Sequence, residues 1–247
     1  IMMAAVLARG ETVLENAALE PEVVDLANLL KKMGALIEGE GTSTIKIQGV
    51  DRLRSAHHAI IADRIEAGTF LIAGLAVGHG LTVTGVHAAH LEAVTEKMSQ
   101  AGAEISYPRE DAIHVEPKEP LRAVDISTQE YPGFPTDMQA QFCVLLSKAN
   151  GRSTITENIF ENRFMHVSEL NRLGAKISVK KDKATIIGVK KLVGASVMAS
   201  DLRASVSLVL AALCAEGETI VNRVYHLDRG YERIEETLGK CGPSIIR

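Results

Sequence analysis

The sequence predicts an α+β fold assembled from a repeated unit, with apolar helices at the centre and sheets outside them. Three observations carry this. Glycines open four comparable stretches, Gly10-Glu11-Thr12-Val13, Gly80-Leu81-Thr82-Val83, Gly151-Arg152-Ser153-Thr154-Ile155 and Gly217-Glu218-Thr219-Ile220, spaced 70, 71 and 66 residues apart. A second mark follows each one 24, 22, 23 and 25 residues later: MGALI with Gly34, AGAEI with Gly102, LGAKI with Gly174 and CGPSI with Gly242. Self-similarity at a fixed period is the sequence mark of repeated architecture. The segment from Phe70 to Val77 is apolar nearly all round, which suits a helix buried on every side.

Each unit reads in the same order. An apolar helix ends at a glycine, a residue suited to the left-handed turn after a helix. A short β-branched strand follows, as in Glu218-Thr219-Ile220-Val221. After a polar linker comes an amphipathic helix, whose spacing shows in Leu91, Val94, Thr95 and Met98. Two short strands close the unit, as in Lys176-Ile177-Ser178-Val179 and Ala184-Thr185-Ile186-Ile187, around the turn from Lys180 to Lys183. Such a unit cannot bury its own apolar faces and must pack on its siblings. Ile1 to Leu7 begins in mid-helix, without the aspartate that precedes the other copies at Asp63, Asp137 and Asp201. The chain stops before the closing hairpin of the fourth copy, so both ends read as cut.

The 247 residues are 46% hydrophobic and 23% charged, enough for a substantial core. The absence of Trp, the scarcity of aromatics and a formal net charge of −4 argue against a nucleic-acid surface. Apolar runs such as Val206 to Leu213 are too short to span a membrane. Cys143, Cys214 and Cys241 lie far apart in no metal-type spacing, which points to free thiols in a reducing, cytosolic compartment. No cofactor motif, P-loop or metal-ligand cluster is visible.

Two sets of side chains could carry chemistry. Asp63, Asp137 and Asp201 each precede an apolar helix and can cap it by accepting backbone N–H bonds. Glu66 stands three residues after Asp63, a capping-box pattern. Asp137 differs, because Pro132 and Pro135 stiffen its approach and Thr136 could cap in its place; capping and a functional role both stand. Arg163, Arg203 and Arg229 lie near helix starts, where arginine opposes the helix dipole. Together they could form an anion cup for carboxylate or phosphate. The plainer reading pairs them with Glu161, Asp201 and Asp228 at the surface. His166 and His226 are read as surface or hydrogen-bonding residues, and Cys143 as a buried small hydrophobe. Tyr131, Phe134, Phe160 and Tyr231 suit either a pocket wall or the core.

With these residues in view, the chain resembles the enolpyruvyl transferases. The matching segments are ENAALEPEVVDLANLL at 15 to 30, DRIEAGTF at 63 to 70, FPTDMQAQF at 134 to 142, ENIFENRFMHVSEL at 157 to 170, ASDLRASVSLVLA at 199 to 211 and YHLDRGYERIEETL at 225 to 238. The resemblance implies an inside-out barrel: two domains of three units each, helices inside and sheets outside, with the active site in the cleft between them. About 3.5 of six units would be present. Residues 1–61 would be the tail of a first domain whose N-terminal part is missing, and residues 62–247 the second domain. The implied reaction transfers enolpyruvyl from phosphoenolpyruvate to the 3′-hydroxyl of UDP-N-acetylglucosamine, releasing phosphate, at the first committed step of peptidoglycan synthesis. By the resemblance, Asp137 is the base that contacts the sugar hydroxyl and Ile159 lines the nucleotide-sugar site through its backbone. Arg163, Arg203 and Arg229 would lie near phosphoenolpyruvate. The family's proton-donor cysteine has no counterpart in Cys143, Cys214 or Cys241, so these 247 residues alone are expected to be inactive. The alternatives are the sister activity on shikimate phosphate, against which FPTDMQAQF and DRGYER speak, and a non-catalytic anion-binding fragment.

Overall fold

Alternation in Thr44-Ile45-Lys46-Ile47-Gln48 sends two isoleucines to one face of a strand and three polar residues to the other. In the computed structural model, which describes residues 1–118 and 120–247, Ile45 and Ile47 are buried and their three neighbours exposed. They belong to the first of two units, Ile1–Ala62 with Glu130–Pro132. This unit contains α1 (Met2–Ala5), β1 (Glu11–Glu15), α2 (Pro21–Lys32), β2 (Leu36–Glu38) and β3 (Thr44–Gln48). The two isoleucines pack with Met2, Ala5, Val6, Ala27 and Leu30 from the helical segments. Pro21 opens α2, where its missing N–H costs nothing.

The second unit comprises Asp63–Gln129 and Gly133–Arg247. Its elements in order are α3 (Arg64–Val77), β4 (Leu81–Thr84), α4 (Glu92–Gln100), β5 (Ala103–Arg109), β6 (Ala112–Pro117), β7 (Ile126–Ser127), α5 (Gln139–Ser147), β8 (Arg152–Thr156), α6 (His166–Arg172), β9 (Lys176–Lys180), β10 (Lys183–Ile187), β11 (Leu192–Val193), β12 (Ser196–Met198), α7 (Leu202–Cys214), β13 (Ala215–Glu216), β14 (Ile220–Asn222) and α8 (Ile234–Gly239). Helices α3, α5 and α7 pack pairwise on one another. All nine residues of α5 are buried, and most of α3 and α7 is as well. Among the described residues, no helix is long and apolar enough to cross a membrane.

Sheets flank these helices. The strand orders are β4-β6-β5 and β7-β8-β10-β9, with parallel pairs β11-β13 and β12-β14. In β1-β3-β2, β4-β6-β5 and β8-β10-β9 the closing strand always lies between the other two, antiparallel to both. The second-mark glycines 34, 102, 174 and 242 all have left-handed φ, from 90° to 115°. Gly80 departs from the other first-mark glycines. The left-handed turn after α3 is made at Gly78, and an added Cβ at Gly80 would come within 2.8 Å of the Val115 carbonyl oxygen. The turn between β9 and β10 is Lys181-Asp182, tighter than the four residues expected, with Lys181 at φ 56°.

The helix starts diverge in a way that bears on function. Asp63 caps α3, its Oδ1 accepting from the amides of Ile65 at 2.8 Å and Glu66 at 3.0 Å. Asp201 caps α7, accepting from Arg203 and Ala204, both at 2.9 Å. No side chain caps α5.

Candidate active site

Pro135 leads into a 3₁₀ turn, Thr136–Met138, that feeds α5. The turn turns Asp137 away from the helix amides that its siblings serve. Its carboxylate is taken up instead by two guanidinium groups. Arg163 Nη2 lies 2.6 Å from Oδ1 and Arg203 Nη2 lies 2.6 Å from Oδ2. All three side chains are about a fifth to a third exposed, so the trio can still meet a ligand. Charge-assisted bonds this short are the strong kind. Burial pushes the Asp137 carboxyl up, but the hydrogen bond and charge of Arg203, then those of Arg163, outweigh it and hold it below the usual carboxylate range. For Arg203, burial works against the charge and Asp137 more than restores it.

Arg163 is held on three sides. Its Nη1 donates to Thr136 Oγ1 at 2.7 Å, and its guanidinium lies 4.7 Å from the centre of the exposed Phe160 ring. Thr136 in turn donates to Glu157 Oε2 at 2.8 Å. Ile159, half-buried, donates its amide to Glu157 Oε1 at 2.9 Å.

Two positional expectations need correction. Only Arg203 stands in the first turn of a helix. Arg163 lies in the turn before α6, which begins at His166, and Arg229 closes a 3₁₀ turn, Val224–Arg229, with α8 beginning at Ile234. The helix-dipole argument therefore applies to Arg203 alone. The surface pairings with Asp201 and Asp228 do not form either, because Asp201 caps α7 and Asp228 pairs with Arg247. Arg229 is exposed and makes no ion pair among the described residues, so the structure brings two of the three arginines onto Asp137.

The remaining candidates sort by burial. His166 is buried, with Nε2 3.4 Å from Cys143 Sγ, and burial pushes its pKa down to about 4. Cys143 is fully buried and its thiol pKa is pushed up for the same reason. Tyr231 and Phe134 are core residues. The Tyr231 hydroxyl lies 2.9 Å from Thr69 Oγ1, which also accepts from Gln141 Nε2 at 3.0 Å, so the DRGYER segment is tied to α3 and α5. His226 Nε2 is buried without a hydrogen-bond partner among the described residues. Among the described residues no group of three or more His, Cys, Asp or Glu could hold a metal ion. Two contributors escaped the sequence reading, Glu157 and the Tyr231–Thr69–Gln141 link. The Ile159 and Phe160 amides are local to Glu157, but its other donors, 18 to 29 positions away, and both bonds of the Thr69 link are too distant in the chain for a local pattern to show them.

Central helices flanked by sheets place the chain, by its fold, with the enolpyruvyl transferases. NikO, an enolpyruvyl transferase from Streptomyces tendae, matches with a TM-score of 0.89 and 30% identity, over 96% of this chain and 57% of that one. EPSP synthase from Acinetobacter baumannii shares the fold, with a TM-score of 0.77 at 18% identity, over 100% and 60% of the two chains. The profile of the EPSP synthase (3-phosphoshikimate 1-carboxyvinyltransferase) family matches residues 1–238, and the chain belongs to that family. A curated relative from Solibacter usitatus, UDP-N-acetylglucosamine 1-carboxyvinyltransferase, is 58% identical over 247 residues. The chain spans 59% of that relative's length.

Proposed function

We propose that this chain is part of a UDP-N-acetylglucosamine enolpyruvyl transferase serving peptidoglycan precursor synthesis in the cytoplasm. The reaction takes phosphoenolpyruvate and the sugar nucleotide and releases phosphate. The observation that carries this reading is Asp137, released from helix capping and held between Arg163 and Arg203. In the proposed architecture residues 1–61 belong to one domain and residues 62–247 form a second domain of three repeated units, about three and a half of six.

The chemistry follows from that arrangement. The 3′-hydroxyl of the sugar attacks C2 of phosphoenolpyruvate. As the new C–O bond forms, the hydroxyl proton passes to Asp137 and the C3 methylene takes a proton from a general acid that the remaining part of the protein would supply. The tetrahedral intermediate then loses a proton from C3 and expels phosphate, restoring the double bond. A base must stay ionised and lie within reach of the proton it takes. Two guanidinium groups secure the first condition but weaken the base. An incoming phosphate or carboxylate competes for the same guanidinium groups, and drawing them away raises the basicity of Asp137 as substrate arrives. Arg229, exposed and without a carboxylate partner among the described residues, supplies further positive charge for the anion. The Ile159 amide is already taken by Glu157, so its carbonyl and side chain are what the nucleotide sugar would meet. Cys143 does not suit proton donation to C3, because it is fully buried, with a thiol held firmly protonated.

A decisive experiment completes the chain with the remaining part of the Solibacter usitatus relative and follows phosphate release. Turnover with UDP-N-acetylglucosamine and none with shikimate 3-phosphate is expected, and residues 1–247 alone should release no phosphate. Turnover with shikimate 3-phosphate in place of the sugar nucleotide would overturn the reading.

A further inference from the structure

Glu157 is only 4% exposed, and no cationic group pairs with it among the described residues. A carboxylate removed from water is costly unless its oxygens are fully hydrogen-bonded. Here five neutral donors surround it. Thr128 Oγ1 at 2.9 Å, the Ile159 amide at 2.9 Å and the Phe160 amide at 3.1 Å reach Oε1. Thr136 Oγ1 at 2.8 Å and Gln139 Nε2 at 3.2 Å reach Oε2. These donors come from the end of β7, the entry to α5 and the loop after β8. Glu157 itself is anchored through its amide to the Asp182 carbonyl at 2.8 Å.

The direction of these bonds matters more than their number. A carboxylate accepts only, so the Thr136 hydroxyl must point its proton at Glu157. Its lone pairs then face Arg163, whose Nη1 donates to them at 2.7 Å while Nη2 donates to Asp137. Thr128 is oriented in the same way, donating to Glu157 and accepting from the Asn158 amide at 2.8 Å. We propose that Glu157 is a positioning residue for the transfer. It sets the polarity of a relay from Thr136 to Arg163 to Asp137, and it fixes the loop that presents Ile159 and Phe160. This inference rests on the enolpyruvyl-transfer reading and adds to it a residue that need not touch the substrate.

A double-mutant cycle tests it in the completed chain. Glutamine at 157 preserves the volume of the side chain but replaces one accepting oxygen with a donor, so either Thr136 or the 159–160 amides face a donor. E157Q should lower kcat at least tenfold and raise the KM for UDP-N-acetylglucosamine several-fold. T136V should lower kcat by a similar factor, and the E157Q/T136V protein should be no slower than E157Q within twofold, because both changes break one relay. Additive losses, or an E157Q kcat within twofold of the unsubstituted protein, would overturn the proposal. Should E157Q fail to fold, T136S and T136V decide the matter: T136S keeps the hydroxyl and should stay within threefold, and a serine variant as slow as the valine one would refute the relay. The same cycle read by calorimetry on inorganic phosphate needs no turnover. Each single change should shift the phosphate Kd at least threefold, non-additively. Failure of enolpyruvyl transfer in the unsubstituted protein would strike the functional reading, whereas additivity in phosphate binding strikes this inference alone.

Discussion

Arg203 Nη2 and Asp137 Oδ2 meet at 2.6 Å across 66 positions of sequence. The contact converts a residue placed like a helix cap into a charged group available to a ligand. D137N should therefore do two opposite things in the completed chain. It removes the base, so kcat should fall by about 10² or more. It also frees two guanidinium groups from an internal competitor, so inorganic phosphate or phosphoenolpyruvate should bind several-fold more tightly, measured by calorimetry. Weaker anion binding in D137N would show that Asp137 assists the anion site instead of competing for it.

Arg229 offers a contrast. It is exposed and makes no ion pair among the described residues, so R229A should leave the melting temperature within about 1 °C, as surface changes usually cost under 0.5 kcal/mol. Its proposed work lies with the anion, and the KM for phosphoenolpyruvate should rise at least tenfold. An unchanged KM would remove Arg229 from the site.

His166 makes stability depend on pH. Its folded pKa of about 4 lies below the unfolded value of about 6.5. On acidification the unfolded chain takes up this proton first, so the stabilisation is whole above about pH 6.5 and drains away between there and about pH 4. The shift corresponds to about 3 kcal/mol. Asp137, held below the usual range, acts in the same sense but in a lower window, losing its contribution as the pH falls below about 4. Urea midpoints measured from pH 7 to 4.5 should fall more steeply in the parent than in H166Q. Equal slopes would mean that His166 is protonated as readily in the folded protein as in the unfolded one.

Gly188 is fixed by space. A Cβ there would lie 1.6 Å from the Ala149 carbonyl oxygen, a backbone atom that cannot swing away. In the other unit, Gly49 meets the Ala8 carbonyl oxygen at the same 1.6 Å. G188A should cost about 3 kcal/mol or more, at the upper end of overpacking penalties. G217A should cost only roughly 1–2 kcal/mol for its left-handed backbone, because nothing lies within 4 Å of the new methyl. Denaturant titrations of the two variants should give that order, and the reverse order would show that the Gly188 contact relaxes freely.

Local rules carried much of the fold. The caps of Asp63 and Asp201 act on amides two and three residues away, within the span that a sequence motif covers. The glycine marks locate turns, and the period-2 pattern of β3 locates its buried face. The site was less legible because its bonds are tertiary. Asp137 finds partners 26 and 66 positions away; the prolines and Thr136 beside it set it apart from its siblings but could not name those partners. Arg229 looked equivalent to Arg163 by its place in the repeat, yet it does not share the bond to Asp137. Glu157 stayed hidden because its donors are spread from Thr128 to Phe160. A glutamate in a polar stretch otherwise reads as surface.

Three central helices begin after an aspartate, and two of those aspartates still serve the backbone. A scaffold built from near-copies can therefore give up one structural fastening while its duplicates keep theirs. The sacrifice is confined to the entry of α5, and the neighbouring helices hold the assembly in shape while that one side chain is free to change occupation.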